Sequence, residues 1–494
     1  MKRVGALFGL YLACNPLMVA QQPFELDTTF RAGFETWYVA SALPMADGKV
    51  LVSGQIHEID EPFPFTFQSV VRLNANGTWD DSFLQGVPGG ALPGGGKLTH
   101  WIDRFYVGTA QTVKRILYTP QVDPSFIPMN TGPYFSSLQG GDYHVFPDGR
   151  LVMSGSHLLS DEVRGFVGTY NFIWFSNEGY LDTTRIHRKG NGALYDFLEL
   201  PDGKFIAGGL CTVYDGQPTS YIQRMNADGS LDTSFFTNTI WGEANAFLPM
   251  PDGRVYAGGY FTIGSDPDTL NLVRFLPDGT LDPTFNNYLQ FTKGDLDGLA
   301  PIVFDLYPLA ADRILVLGRF VTVAGQEHYG LAVVDSSGVL VELGTGTGCG
   351  PTTYQGYTSR TPLGAVAYGT DQLLVFGNYH GYDDGVINDT LQRFVSRLNI
   401  GSLYVGEAER QLQPTSVSAY PNPTTGELVV ETDLVPNEQH IIVLRNVVGN
   451  MVLQQRTNST KTFLNLNPLA NGIYQLEVHA RDGLVAVQRI VVQH

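Results

Sequence analysis

"LPMPDGRVYAGGYF", residues 248–261, has a near copy fifty positions upstream, "LELPDGKFIAGGLC" at 198–211. In both, a Pro-Asp-Gly turn punctuates the chain and an apolar run of strand-forming residues follows it. Five more stretches share the pattern: "MADGKVLVSG" at 45, "PGGGKLTHW" at 93, "FPDGRLVMSG" at 146, "LAADRILVLG" at 309 and "YGTDQLLVFG" at 368. The stretch at 93 is degenerate and is placed by spacing. Aligned on their basic or Gln residue (49, 97, 150, 204, 254, 313, 372), the seven heads stand 48, 53, 54, 50, 59 and 59 residues apart. A period in this range, built of strands and turns, marks a propeller or a solenoid.

A second motif alternates with the heads: "RLNANGTWDDSF" at 72, "SNEGYLDTTR" at 176, "RMNADGSLDTSF" at 224, "RFLPDGTLDPTF" at 274 and a bare "VDPSF" at 122. Asn-Gly and Asp-Gly supply the positive φ of a tight hairpin, so each unit reads as four strands. In the fourth unit these are 193–200, 204–213, 221–226 and 230–235. Four antiparallel strands per unit make a propeller blade. The ends of the array complement each other. "FELDTTF" at 24–30 is a tail without a head, and the last unit ends on "RFVSRLN" at 393–399 without a tail. An N-terminal strand completing the last unit closes a ring of seven blades and leaves no bare β edge.

The units resemble delta-60 repeats, a β-propeller type of bacterial surface and secreted proteins. Pro201, Asp202, Gly203, Gly208, Gly209, Arg224, Asn226, Asp228, Gly229, Leu231, Asp232 and Phe235 carry the likeness, over roughly residues 24–400. The resemblance implies a fold and no particular function.

Composition agrees with an all-β chain: 16% charged residues against the usual ~25%, with 56 Gly and 12% aromatics among 494 residues. A net charge of −18, from 48 acidic and 30 basic residues, argues against nucleic acid and anionic membrane surfaces as partners. Residues 1–20 read as a secretory signal peptide, with Lys2 and Arg3, an apolar run, and cleavage after Ala20. No later stretch is long and apolar enough for a transmembrane helix. Loss of Cys14 with the leader leaves Cys211, which aligns with Phe261 as a buried apolar filler, and Cys349. A disulfide between these two stays open.

Near Gly401 the period stops. A polar, Pro-containing linker at 403–416 separates the propeller, 21–402, from a module at 417–494 whose strands alternate with Gly, Asn and Pro turns in the cadence of a small immunoglobulin-like β-sandwich. This module resembles the type A C-terminal sorting domain of the Bacteroidetes type IX secretion system. The likeness rests on Pro421, Asn422, Pro423, Gly426, Gly449, Gly472, Ile473, Tyr474 and the closing strand Arg489 to Val492. It implies export through that machinery, to the medium or to the outer face of the outer membrane, with the module itself removed.

None of the strong catalytic spellings is present. His57 and His380, three residues after Gly54 and Gly377, and His157, two after Gly155, are either solvated loop residues or a metal or acid-base cluster. Eight residues before the aligned position stand Asp142, Asp196 and Asp305, with Ser41 and Ala246 in other units. If first strands are innermost, these carboxylates face the channel, where they have raised pKa values, recruit a divalent cation, or simply meet water. Asp27, Asp80, Asp123, Asp182, Asp232 and Asp282 recur too regularly for one site and are expected to hold turns. Trp37, Tyr38, Tyr134, Phe135, Tyr195 and Trp241, with Asn191, Glu243 and Asn245, form either an aromatic rim for sugar stacking or packing between blades.

The expectation is a secreted or surface-displayed, non-catalytic, monomeric module that binds a glycan or a protein. Asp142, Asp196, Asp305, Trp241 and Glu243 are its candidate ligand positions, and no cofactor is expected beyond a channel cation. The competing expectation is an extracellular hydrolase or lyase acting on polysaccharide or peptide through those carboxylates.

Overall fold

The computed structural model describes residues 23–400 and 417–493, apart from 60–66, 84–94, 110–112, 120, 128–133, 267, 295, 297–299, 311, 342–345, 355–356, 370, 433–439, 447–450 and 481–482. The signal peptide, the linker and Gly449 fall outside these residues. Every regular element described is a strand.

Among the described residues, seven antiparallel sheets follow one another along the chain. The fourth is typical: Leu194–Glu199, Phe205–Gly209 and Ile222–Met225 pair in sequence order, and Leu231 bridges Met225 as a rudimentary fourth strand. Heads and tails have separate duties here. The Pro-Asp-Gly turn of the head joins the first and second strands, and the Asp-Gly turn of the tail joins the third and fourth. The first strands of neighbouring sheets pack side by side around an axis, with Thr361–Tyr368 of the seventh returning against Phe34–Pro44 of the first. Seven separate apolar clusters fill the seven gaps between adjacent sheets. Burial between sheets is what stabilises such a ring, because each sheet alone would expose both faces.

The ring closes where the orphan tail predicts. Glu25–Leu26 joins the seventh sheet as its outer strand, Glu25 opposite Asn399 and Leu26 opposite Leu398. Leu26 is buried in the cluster between the sixth and seventh sheets, and Phe30 in the cluster between the seventh and first.

The recurrent Asp residues do more than hold turns. Asp232 accepts the Ser234 amide and hydroxyl on Oδ1 (3.0 and 2.6 Å), as a local turn requires. Its Oδ2 accepts Arg224 Nε (2.7 Å) from the third strand and Lys204 Nζ (2.8 Å) from the second. One carboxylate thus ties three strands together. Asp80, Asp123, Asp282 and Asp27 repeat the arrangement with Arg72, Arg115, Arg274 and Arg397. At Asp182 the arginine is replaced by Trp174, over which Arg185 stacks at 4.2 Å.

The second head departs from the alignment. Lys97 does not begin a second strand; Lys97–Trp101 is itself the first strand, and the second is Arg104–Gly108. The reversal occurs at the two residues Ile102 and Asp103, with Ile102 at φ 56°, while Gly95 and Gly96 precede the sheet. "DRFYVG" at 103–108, without the usual turn Pro and turn Gly before its strand, is the true head.

The C-terminal module forms two sheets. Ser418–Tyr420, Glu427–Glu431 and Lys461–Asn465 make one, and Met451–Thr457, His440–Asn446, Gly472–Ala480 and Gly483–Val492 the other. Leu428, Ile442, Leu476 and Ile490 are buried together between them.

Candidate functional site

In five sheets the first strand carries a β-bulge, seen as register shifts at Val39/Ser41, Leu194/Asp196, Ala244/Ala246, Val303/Asp305 and Pro362/Gly364. A bulge re-aims the side chain that follows it. These side chains are Ser41, Asp196, Ala246, Asp305 and Gly364. Asp142 has the same partner position, since Ser154 N–H donates to its carbonyl (2.9 Å). Lys97, opposite Gly108, holds the same register in the second sheet. One position per sheet therefore lines the channel, and it reads Ser, Lys, Asp, Asp, Ala, Asp, Gly around the ring.

Sequence reasoning found the three acids and missed the lysine beside the first of them. Lys97 Nζ donates to Asp142 Oδ2 (2.6 Å) and to the Tyr143 carbonyl (3.1 Å). Its side chain is 45% exposed; burial opposes its charge, but the charges of Asp142 and Asp196 outweigh this and raise its pKa. Burial and the Asp142 charge push the Asp196 carboxyl well above the carboxylate range; Lys97 opposes this and Asp305 adds to it. Burial raises Asp305 to about 6, against the amides of Ala365 and Leu306, which its two oxygens accept at 3.0 and 2.9 Å. At Gly364 a Cβ would stand 3.2 Å from Asp305 Oδ2 and 2.6 Å from the Phe376 ring, so the smallest residue leaves room for this carboxylate.

Trp241 and Glu243 lie at the end of the ring where first strands begin and second strands end, opposite Thr262 and Tyr260. The Trp241 indole is 53% exposed and meets the Tyr260 ring edge-on at 5.5 Å. Burial raises the Glu243 carboxyl, offset by a hydrogen bond with the Tyr260 hydroxyl. Tyr195 Oη, in the neighbouring sheet, accepts Gln139 Nε2 (2.5 Å), and its own pKa rises through burial and the Glu243 charge. Asn245, the bulge residue, has a buried Nδ2 with no partner among the described residues. Asn191 instead serves its own loop, taking the amides of Thr212 and Val213 (both 2.9 Å).

The histidines do not assemble. His157 is buried against the Ser154 carbonyl (2.7 Å), and His57 turns to the Glu58 carbonyl (2.9 Å). Among the described residues no three His, Cys, Asp or Glu side chains are grouped so as to hold a metal ion. Cys211 and Cys349 are buried free thiols. The sorting-motif residues do converge: Asn422 Oδ1 accepts the Val491 amide (2.8 Å), Gly472 pairs with Val492, and Tyr474 Oη donates to the Ala470 carbonyl (2.8 Å).

A ring of sheets with a short channel, joined to a sandwich that ends the chain, defines a β-propeller with a C-terminal export module. Comparison with known proteins agrees. The family described as "Secretion system C-terminal sorting domain" matches residues 418–493, and the "Domain of unknown function (DUF5122) beta-propeller" family matches 46–83, 200–235 and 251–285. The chain is thus a propeller followed by a type IX sorting domain, the mark of proteins exported to the cell surface or secreted. No helix among the described residues is long and apolar enough to cross a membrane. No curated protein matches. Solved structures that match include PorZ, an essential surface component of the type IX secretion system of Porphyromonas gingivalis, at 11% identity, 92% of this chain, 81% of that chain and a TM-score of 0.26. A Bacteroides caccae protein of unknown function matches at 12% identity, 50% and 80% coverage and a TM-score of 0.24. A family 32 glycoside hydrolase of Bifidobacterium adolescentis matches at 10% identity, 94% and 77% coverage and a TM-score of 0.20. At such scores these structural likenesses carry no functional argument.

Proposed function

We propose that the propeller is a non-catalytic binding and display module that takes a neutral glycan at the channel end formed by Trp241, Tyr260, Tyr195 and Glu243. The observation that carries this reading is the engagement of the channel acids. Asp142 is held by Lys97, both oxygens of Asp305 accept backbone amides, and burial pushes the Asp196 carboxyl well above the usual carboxylate range. Acid-base or nucleophilic catalysis at a sugar needs one ionised and one protonated carboxyl, both free to reach the substrate. The exposed indole offers an apolar face for a sugar ring, with hydroxyl and carboxyl groups beside it to orient the sugar's own hydroxyls.

The test is a glycan array probed with the secreted protein and with its Trp241→Ala variant, alongside a reducing-end assay on every hit. Retention that is lost in the variant, without release of reducing ends, supports the reading. Product release that depends on Asp142 or Asp305 overturns it in favour of a hydrolase or lyase.

A further inference from the structure

"RIHRK" at 185–189 concentrates three cations and a histidine, with no acid, in a chain of net charge −18. It runs along the outer side of the third sheet, beneath the tip of the long hairpin Leu151–Asp161 and Phe166–Phe175, and beside the turn at 214–217. Between them lies an open cleft of about 510 Å³ lined by Phe166, Tyr170, Arg185, His187, Lys189 and Asp215. That volume is within the usual range for small-molecule sites, roughly 300–1,000 Å³.

His187 is the second, independent pointer. Its ring is 5% exposed and packs edge-on against Phe166 at 4.6 Å. Nδ1 accepts the Trp174 amide at 3.2 Å, which places the proton of the neutral ring on Nε2. Burial keeps the ring neutral, its pKa lowered to about 4. Nε2 is itself buried and has no hydrogen-bond partner among the described residues, in a residue that lines the cleft. A buried donor without an acceptor is costly, on the order of 1–3 kcal/mol, and is retained where something supplies the acceptor. Of the two neighbouring acids, Asp215 is already engaged by Arg188 (3.1 Å) and the Lys189 amide (3.2 Å), while Asp182 stands 3.8 Å from Arg185 Nε and accepts the Thr184 amide and hydroxyl. This leaves Lys189 as the cation of the cleft whose ammonium pairs with no carboxylate among the described residues. Lys189 Nζ stands 4.6 Å from the Tyr170 ring centre, and exposed Ile186 extends the apolar wall.

We propose that this cleft is a binding site for carboxylate-bearing sugars, distinct from the channel end. Arg185 and Lys189 take the uronate carboxylate, His187 Nε2 donates to a ring or hydroxyl oxygen, and Phe166 with Ile186 receives the apolar face of the sugar. A bare phosphate would occupy a small part of the volume and leave that apolar wall unused.

The experiment titrates the full secreted protein with a galacturonate trimer, a neutral galactose trimer and inorganic phosphate, followed by calorimetry and by the imidazole NMR signal of His187. The acidic trimer is expected to bind at least about tenfold more tightly than the neutral one and to shift the His187 signal. Arg185→Gln and Lys189→Gln are each expected to weaken it about tenfold, one charge-assisted hydrogen bond, with Tm unchanged in Lys189→Gln and lowered in Arg185→Gln, which also loses its stacking on Trp174. The assignment is overturned if the acidic trimer does not bind, if the double variant binds it undiminished, or if phosphate matches its affinity. Loss of uronate binding in Trp241→Ala also overturns it, by moving the ligand to the channel end. Failure of neutral glycans to bind there leaves this site untouched.

Discussion

Arg397 Nε donates to Asp27 Oδ2 at 2.8 Å, joining residues 370 positions apart in the chain. The pair is the fifth copy of a link that elsewhere spans eight residues, as in Arg224 to Asp232. In four other sheets it holds a hairpin; here it seals the ring. Around it Gln372 Nε2 donates to the same oxygen (2.9 Å), Arg397 Nη1 reaches the Ala75 carbonyl of the first sheet (2.7 Å), and Arg31 pairs with Asp389.

Arg397→Met is therefore expected to cost about 3 kcal/mol, the loss of one partner from a largely buried pair, and to raise amide exchange across 23–31. Arg224→Met, its counterpart within a sheet, is expected to lower stability without touching the N-terminal strand. Exchange at 23–31 that is unchanged in Arg397→Met would show that apolar packing of Leu26 and Phe30 closes the ring by itself.

The tail glycines make a second repeated contact. Phe236 N–H donates to Asp278 O at 2.9 Å, from the tail of the fourth sheet to the tail turn of the fifth, and Arg31 to Asn76, Ile127 to Glu178 and Asn286 to Ser337 repeat it. The glycine after each acceptor, such as Gly279, sits against the incoming backbone. A Cβ on Gly279 would lie 2.6 Å from Phe236 N, whereas at Gly203, a head-turn glycine, it would meet nothing within 4 Å. Their φ values, 90° and 81°, are alike. Gly203→Ala should thus cost only the left-handed strain, about 1–2 kcal/mol, and Gly279→Ala clearly more. Equal losses in denaturant titrations would mean that the latch between sheets contributes nothing.

Much of this ring is legible in the sequence because hairpin chemistry is local. Pro-Asp-Gly, Asp-Gly and the strand alternation around them mark the units, and the orphan tail at 24–30 marks the closure. What is hidden is whatever depends on neighbours in space. Lys97 looked like a head residue because glycines precede it, while the real turn at 102–103 carries neither Gly nor Pro. Lys97 stands seven residues before Arg104, one fewer than the eight that separate Asp142, Asp196 and Asp305 from their heads, so even a correct placement of the head would have pointed to Gly96. The latch role of Gly279 and the free Nε2 of His187 have no local signature, since one depends on the adjacent sheet and the other on a hairpin packed over it.

The sorting motif acts through the closing strand. Asn422→Ala removes the acceptor for Val491 N–H and should loosen the last strand by about 1 kcal/mol, lowering the exported fraction while leaving the propeller folded. Removal of 417–494 should leave the propeller in the periplasm, measured by fractionation and immunoblotting. A truncated chain that still reaches the surface would separate export from this module.

Two classes of carboxyl give opposite pH signatures. At Asp27 burial opposes ionisation, but the Thr29 hydroxyl and amide and Arg397 outweigh it, so the folded pKa lies below the unfolded value. Its stabilisation is complete above about pH 4 and is lost as pH falls through the folded pKa. Asp27→Asn should thus lower Tm at pH 7, with a penalty that shrinks below about pH 4. Asp196 is raised, by burial first and then by Asp142, so the fold keeps a proton that the unfolded chain releases near pH 4, and stability drains away as pH rises from there. Asp196→Asn supplies that neutral group permanently. Its Tm should equal the parent's near pH 3 and exceed it by about 2 °C or more at pH 7. An Asp196→Asn protein that melts lower than the parent at pH 7 would mean that Asp196 is ionised and held by Lys97, and the channel would then carry one more negative charge than this ring of residues implies.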